Sequence, residues 1–336
     1  MEKLKNIWSE FVSFDNLFLA FREAAKGKRY HNEIAEFYNS IEENLIQLQD
    51  ELVWKMYRPS SPKVFKIVYP KAREIEAPSF RDRVVQHALV RVIEPAFDSR
   101  FIYSSCACRK GKGQLEALKE VQCALRKIKG HAWFYSGDIH HYFQSIDRAL
   151  LKKIIRKYIE DNGILFVIDL IIDSSKDGLP KGNLTSQLFA NVYLNELDQY
   201  VKMTLRIKNY VRYMDNFVIA GSSREVVKSQ KIIIDSYINR TLHLELNQKD
   251  SRLGRDTVYY CGGVVRKDSI SIKKKTLLHA KRKLKKIHQK NITKWRDSCK
   301  ALVGYASHFQ SWRSLRSMFN ERRYEYDRGR GKSQKR

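Results

Sequence analysis

Two aspartates lie where hydrophobic, strand-like runs end or turn. Asp138 closes the run 132–137, and Asp215 interrupts the run 210–220 as Tyr213-Met214-Asp215-Asn216-Phe217. A β-rich run broken by Asp-Asn and resumed by Phe-Val-Ile predicts a hairpin, because Asp and Asn tolerate the positive φ of a tight turn. Asp215 then stands at the hairpin tip. If the strand ending in Asp138 lies beside that hairpin, both carboxylates meet at one edge of a sheet. Hard oxygen ligands there suit Mg²⁺ and a triphosphate substrate.

The elements that must position this pair follow from periodicity and breakers. Residues up to about 57 are expected to be helical, with Leu45, Leu48 and Leu52 at helical spacing, ending at Pro59-Ser60-Ser61-Pro62. A basic hairpin is predicted over 64–77 and a helix over 81–97. The central block, about 132–222, orders as strand, helix, helix, hairpin, and its helix over 184–201 carries a broad apolar face. Ser222 and Glu225 form a capping-box pattern before the next amphipathic helix. A strand near 242–246 and a hairpin-like run at 258–265 close the block, whose expected core is a split βαβ unit. Beyond Gly262-Gly263 the chain turns lysine-rich at helical spacing, and residues 327–336 read as a disordered basic tail.

Composition narrows the partners. The 336 residues carry a net charge of +27 with pI near 9.8, far beyond what solubility needs, and nucleic acid is the polyanion that explains it most simply. The basic residues are spread over several segments among aromatic ones, unlike a membrane anchor. No apolar stretch approaches the ~20 residues of a membrane span, and the first residues lack a signal-peptide core, so a soluble, cytoplasmic protein without a membrane partner is expected. Five cysteines, with only one C-x-C (Cys106, Cys108) and no metal-ligand pairing, read as reduced thiols.

Asp138-Ile139-His140-His141-Tyr142-Phe143 and Tyr213-Met214-Asp215-Asn216, in that order, resemble the two acidic motifs of the reverse transcriptases. The block 178–191, Gly-Leu-Pro-Lys-Gly-Asn-Leu-Thr-Ser-Gln-Leu-Phe-Ala-Asn, resembles most the bacterial enzymes of diversity-generating retroelements, which have Ser-Gln where others have Ser-Pro. The blocks 81–89 and 107–113 match the same group, and the resemblance covers about residues 60–320. It implies an α+β right-hand polymerase: an N-terminal helical extension (1–58), fingers (59–131), palm (132–265), basic helical thumb (266–322) and disordered tail (323–336). It also implies RNA-directed DNA synthesis with two Mg²⁺ ions, for which Mn²⁺ can substitute. On that match Asp138, Asp215 and the Ile139 carbonyl are metal ligands, and Asn216 occupies the remaining catalytic position. Phe143 is the gate against ribonucleotides, while Lys71, Arg73, Gly182 and Gln187 meet the incoming dNTP. Tyr260-Cys261-Gly262-Gly263 resembles the primer-grip turn. The implied partners are template RNA, cDNA, dNTPs, a small basic accessory protein and a structured noncoding RNA.

Three positions depart from the pattern. Asn216 replaces a carboxylate, and an amide oxygen brings no negative charge, so the primer-side metal is held more weakly. Lys181 puts a charge where the branch has an aliphatic residue. Lys249 falls one place before the usual lysine, where Asp250 stands. Two other readings therefore stand beside the first. One is a defence-associated reverse transcriptase acting on its own noncoding RNA; the other is a polymerase-shaped RNA-binding subunit with weakened or lost catalysis. His140 and His141, as strand neighbours, are expected on opposite faces, either structural or facing template.

Overall fold

The computed structural model describes residues 3–28, 30–68 and 73–279, together with 282, 304 and 306–309. Four helices come first: α1 (Trp8–Val12), α2 (Phe14–Ala25), α3 (Asn32–Asn39) and α4 (Ile41–Val53). Ser13 ends α1 and caps α2, its hydroxyl accepting from the Asn16 N–H at 3.2 Å. Hairpin β1 (Lys63–Ile67) and β2 (Arg73–Ala77) follows the proline breaker and leads into α5 (Phe80–Asp98). Buried Asp82 closes that junction, accepting from Tyr57 Oη at 2.8 Å and from the Ser60 N–H at 3.0 Å. Helix α2 packs along α5, so Phe11, Leu17, Phe21, Leu45 and Leu48 join the same core as Val84, Leu89 and Ile93.

The central sheet is antiparallel, in the order β4 (Tyr210–Tyr213), β5 (Asn216–Gly221), β3 (Trp133–Asp138), β6 (Arg252–Arg255). Between β3 and β4 run α7 (Tyr142–Ser145), α8 (Arg148–Arg156), α9 (Asn162–Asp173) and α10 (Leu184–Gln199), which continues as a π-turn over Tyr200–Thr204. Helix α11 (Arg224–Arg240) joins β5 to β6, which completes the split βαβ arrangement expected from the sequence. Period-2 alternation buries both faces of this sheet. Tyr135, Phe217 and Ile219 enter the large core with α5, α10 and α11. Phe134, Val218 and Ala220 face a second core built on α6 (Gln114–Arg126) and the sheet β7 (Val258–Tyr260), β8 (Gly263–Val265), β9 (Ile270–Ile272).

The details depart from expectation in several places. The fourth strand is β6 at 252–255 and not a strand at 242–246, because His243 adopts φ 51° and the segment runs irregularly, touching the sheet only through an isolated Ile139–Leu246 bridge. Strand β6 was masked in the sequence by its glycine, yet Gly254 has a packing reason: a Cβ there would lie 2.5 Å from the Phe134 ring. Helix α11 is capped by Ser223, one residue later than predicted, whose hydroxyl accepts from the Glu225 N–H at 3.2 Å and donates to Glu225 Oε2 at 2.7 Å. His140 and His141 are not strand neighbours. The strand ends at Asp138, His141 takes φ 45°, and the two rings meet edge to face at 4.1 Å, both exposed. The segments expected to form a basic thumb and tail lie largely outside the described residues, although Ala306 and Phe309 are buried in the second core. No helix among the described residues is long and apolar enough to cross a membrane.

Candidate active site

Strands β4 and β5 pair Tyr213 with Asn216, which leaves Met214 and Asp215 as a two-residue turn. The left-handed φ falls on Met214, at 55°, and not on Asp or Asn as the sequence suggested. Such a φ costs a side-chain-bearing residue about 1–2 kcal/mol, so the surroundings must hold it. They do so at the carbonyls: Met214 O accepts from Arg212 Nη1 at 3.0 Å, Asp215 O from the Ile139 N–H at 3.3 Å, and Asn216 O from Tyr260 Oη at 2.9 Å.

The register brings the two aspartates together. Asp138 lies directly opposite Asn216 across β3 and β5, so Asp215 is the next residue over. Asn216 Nδ2 donates to Asp215 Oδ1 at 3.2 Å, and its amide lies beside the Asp138 carboxylate, where it favours the charged form. Asn247 secures Asp138 from the other side, its N–H reaching the Asp138 carbonyl at 2.7 Å and its Nδ2 reaching Asp138 Oδ2 at 3.1 Å. Burial holds the Asp138 carboxyl above the usual carboxylate range, and the neighbouring negative charge of Asp215 pushes it the same way. A cation between these acids would relieve both effects.

The other expected site residues are arranged around this pair. Ile139 is buried beneath it. Half-buried Phe143 follows Tyr142, whose hydroxyl donates to the Ala190 carbonyl at 2.6 Å, and the Phe143 carbonyl accepts the Leu179 N–H at 2.7 Å. Phe143 is thereby fastened to the loop that contains Gly182. At φ 126°, Gly182 is exposed and passes close to the β1–β2 hairpin, where a Cβ would sit 3.0 Å from the Glu76 carbonyl. Its lack of a side chain is thus explained by contact with β2. Lys181 turns aside to Gln144 Oε1 at 3.1 Å. Gln187 is exposed on the first turn of α10. Lys71 lies outside the described residues, and of Arg73 only the backbone, at the start of β2, is described. Lys249 is exposed, its N–H bound to Asn247 Oδ1 at 3.2 Å.

Sequence reasoning missed the residues that hold the site from behind. Arg212 is fully buried and uses all five N–H donors: Asp198 Oδ1 at 2.8 Å and Oδ2 at 2.7 Å, with Asn191 Oδ1, Met214 O and Ser105 Oγ each at 3.0 Å. The one available signal was an arginine in the middle of an otherwise buried strand. Tyr260 was singled out only for its resemblance to a primer-grip turn, and its bond to Asn216, like that of Asn247 to Asp138, joins residues 44 and 109 apart in the chain.

Two carboxylates, one ending β3 and one in the adjacent β4–β5 turn, suit Mg²⁺, which characteristically takes one or two protein carboxylates and fills its remaining positions with water and substrate phosphates. No cluster of three or more His, Cys, Asp or Glu side chains forms a metal cage among the described residues. The donor set accordingly fits a substrate-completed ion. Four of the cysteines, Cys106, Cys108, Cys123 and Cys261, are free thiols, and burial pushes Cys106 up to about 11.

Comparison with known proteins bears on this geometry. Residues 65–265 match the family model described as reverse transcriptase (RNA-dependent DNA polymerase). The chain is 30% identical over 171 residues to Protein YkfC of Escherichia coli, covering 46% of this chain and 44% of that protein. It is 26% identical over 211 residues to the Group II intron-encoded protein LtrA of Lactococcus lactis, covering 59% of this chain and 34% of that one. The match thus spans less than half the length of either relative. Among solved structures, apo telomerase from Candida tropicalis, truncated from its C-terminal domain, superposes with a TM-score of 0.52 at 12% identity, covering 68% of this chain and 59% of that one. A second structure of apo telomerase from Candida tropicalis gives 0.51 at 12% identity, covering 68% of this chain and 53% of that one. This likeness is one of fold, that of a right-hand polymerase.

Proposed function

Because this chain belongs to the reverse transcriptase family, we propose that it copies template RNA into complementary DNA, with Asp138 and Asp215 as the metal-binding carboxylates and Asn216 as their uncharged neighbour. The observation that carries the proposal is the register that sets Asp138 opposite Asn216 and next to Asp215. Bound Mg²⁺ would activate the primer 3′-hydroxyl and neutralise charge on the departing pyrophosphate. The chain's own residues supply the rest. Asn247 and Asn216 orient the carboxylates, Phe143 crowds the sugar, and Gln187 offers an amide to the nucleotide. Lys71 and Arg73 on the fingers hairpin clamp the triphosphate, and the Ile139 carbonyl adds a ligand.

The finer proposal is a diversity-generating-retroelement type of enzyme, supported by Gln187 within its Gly-Asn-Leu-Thr-Ser-Gln block. It acts with a structured RNA and a small basic accessory protein. A second reading has one observation in its favour. The Asn216 amide donates to Asp215 without bringing a negative charge to the pair, as suits a polymerase-shaped RNA-binding subunit with weakened chemistry.

Primer extension with Mg²⁺ and with Mn²⁺ separates the two. Incorporation by the purified chain should disappear in Asp138→Ala and rise about tenfold or more in Asn216→Asp, the size expected for one added charge contact of ~1.5 kcal/mol. Tight RNA binding with no incorporation in either background would establish the binding-subunit reading instead.

A further inference from the structure

The turn Tyr260-Cys261-Gly262-Gly263 joins β7 to β8, with Cys261 at φ 42° and Gly262 at φ 77°. Two consecutive left-handed residues define the tight hairpin turn whose twist matches its flanking strands. Its two ends are tied to different parts of the molecule. The Cys261 carbonyl accepts from Gln114 Nε2 at the start of α6. Tyr260, 1% exposed, sends its hydroxyl across the sheet interface to the Asn216 carbonyl at 2.9 Å. Asn216 in turn donates its side-chain amide to Asp215 Oδ1 at 3.2 Å and sits directly opposite Asp138 in the strand register. A single buried phenol therefore fixes the backbone of the residue that binds Asp215 and pairs with Asp138.

We propose that Tyr260 is a positioning residue for the catalytic turn: its hydroxyl fixes Asn216, and so couples the β7–β8 turn to the spacing of Asp138 and Asp215. The inference rests on the two-aspartate reading above and goes beyond it, since the buried Tyr260 acts through the Asn216 carbonyl. Of the three carbonyl contacts on the turn, this one alone comes from outside the central sheet and its immediate helices. A shift of the β7–β8 turn has a direct path to Asn216 through it. Arg212, by contrast, is locked by Asp198 within the body of the sheet and α10.

Tyr260→Phe removes the hydroxyl alone and leaves the ring in the second core. The test compares wild type, Tyr260→Phe, Asp138→Ala and the half-exposed neighbour Tyr259→Phe by two measurements. The first is an electron-spin-resonance titration of Mn²⁺ in the presence of dNTP and a 3′-deoxy-terminated primer–template. The second is single-turnover extension on an ordinary primer. With melting temperature monitored for each variant, Tyr260→Phe should weaken Mn²⁺ binding and lower the extension rate, each about three- to tenfold, the worth of one buried hydrogen bond. The KM for primer–template should be unchanged, and Tyr259→Phe should behave as wild type. If Tyr260→Phe binds Mn²⁺ and extends like wild type while Asp138→Ala loses both, the inference is overturned and the two-aspartate site stands. If Asp138→Ala retains Mn²⁺ binding, it is the site itself that fails. Should Tyr260→Phe melt below assay temperature, Gln114→Ala, which frees the other end of the same turn, is expected to shift Mn²⁺ affinity in the same direction; unchanged affinity there also overturns the coupling.

Discussion

At Asp138 the physical chemistry of the site conflicts with stability. Burial and the charge of Asp215 hold its carboxyl above the usual range, so between an unfolded value near 3.9 and the raised folded one the native chain binds more protons than the unfolded chain. Stability from this group is therefore intact in acid and is lost as pH rises through that window, leaving a cost at neutral pH. Asp138→Asn should raise the melting midpoint of the chelator-treated protein by about 1–2 °C at pH 7, with the gain fading towards pH 4, while extension is abolished. Equal midpoints at pH 7 would mean that the acid is not destabilised. The identity of the two acids was legible from the sequence, since each interrupts or ends a hydrophobic run. Their support was not: Arg212, Asn247 and Tyr260 act through long-range pairings that no local spacing encodes, and the positive φ on Met214 is imposed by those contacts against its own preference.

Among elements, those with strong periodicity were readable. The helices at 80–98 and 184–199, the hairpin at 210–221 and the pair at 258–265 lie close to where apolar spacing and breakers put them. Those set by tertiary contact were not. Strand β6 is an edge strand with no alternating apolar face, and its Gly254 looks like a breaker until the Phe134 ring is seen above it. The role of Asp161 was equally hidden. Its Oδ1 caps α9, accepting from the N–H groups of Gly163 and Ile164 at 3.0 and 3.2 Å, while its Oδ2 accepts those of Ile7 and Trp8 at 2.9 and 3.0 Å at the head of α1. One carboxylate thus caps two helices and fastens the N-terminal helices to the body, next to the Leu4–Ile159 bridge. Two caps at about 1 kcal/mol each imply that Asp161→Ala costs about 2 kcal/mol. Urea unfolding should show that loss, with Asp161→Asn intermediate because its amide oxygen can still serve one cap. A cost within experimental error of zero would show that the two helix starts find other acceptors.

Over the whole molecule, charge decides more than packing does. An excess of 27 positive charges on 336 residues opposes compaction, and a two-layered core around the central sheet tolerates it only as long as the cations stay in water or meet a polyanion. Several cations already have partners within the chain: Arg212 with Asp198 in the interior, Arg109 with Asp98, and Lys181 with Gln144 at the surface. The charge available to nucleic acid must then come from exposed positions such as Lys63, Lys66 and Lys110, which remain well exposed even where they approach a carboxylate, and from the lysine-rich segment after 272. Surface pairs of that kind contribute little and give way readily to phosphate. If the chain grips a primer–template by its backbone through about six to ten such contacts, its affinity should fall by roughly 10³- to 10⁵-fold between 50 and 200 mM salt. Filter binding across that range measures the slope for wild type and for a charge-neutralised 273–275 variant. Neutralising Lys273, Lys274 and Lys275 should flatten the logarithmic slope by up to about three without altering the response of extension rate to Mg²⁺. A slope near zero in the wild type would remove phosphate tracking as the reason for the charge, and with it the need for a nucleic-acid groove beside the two aspartates.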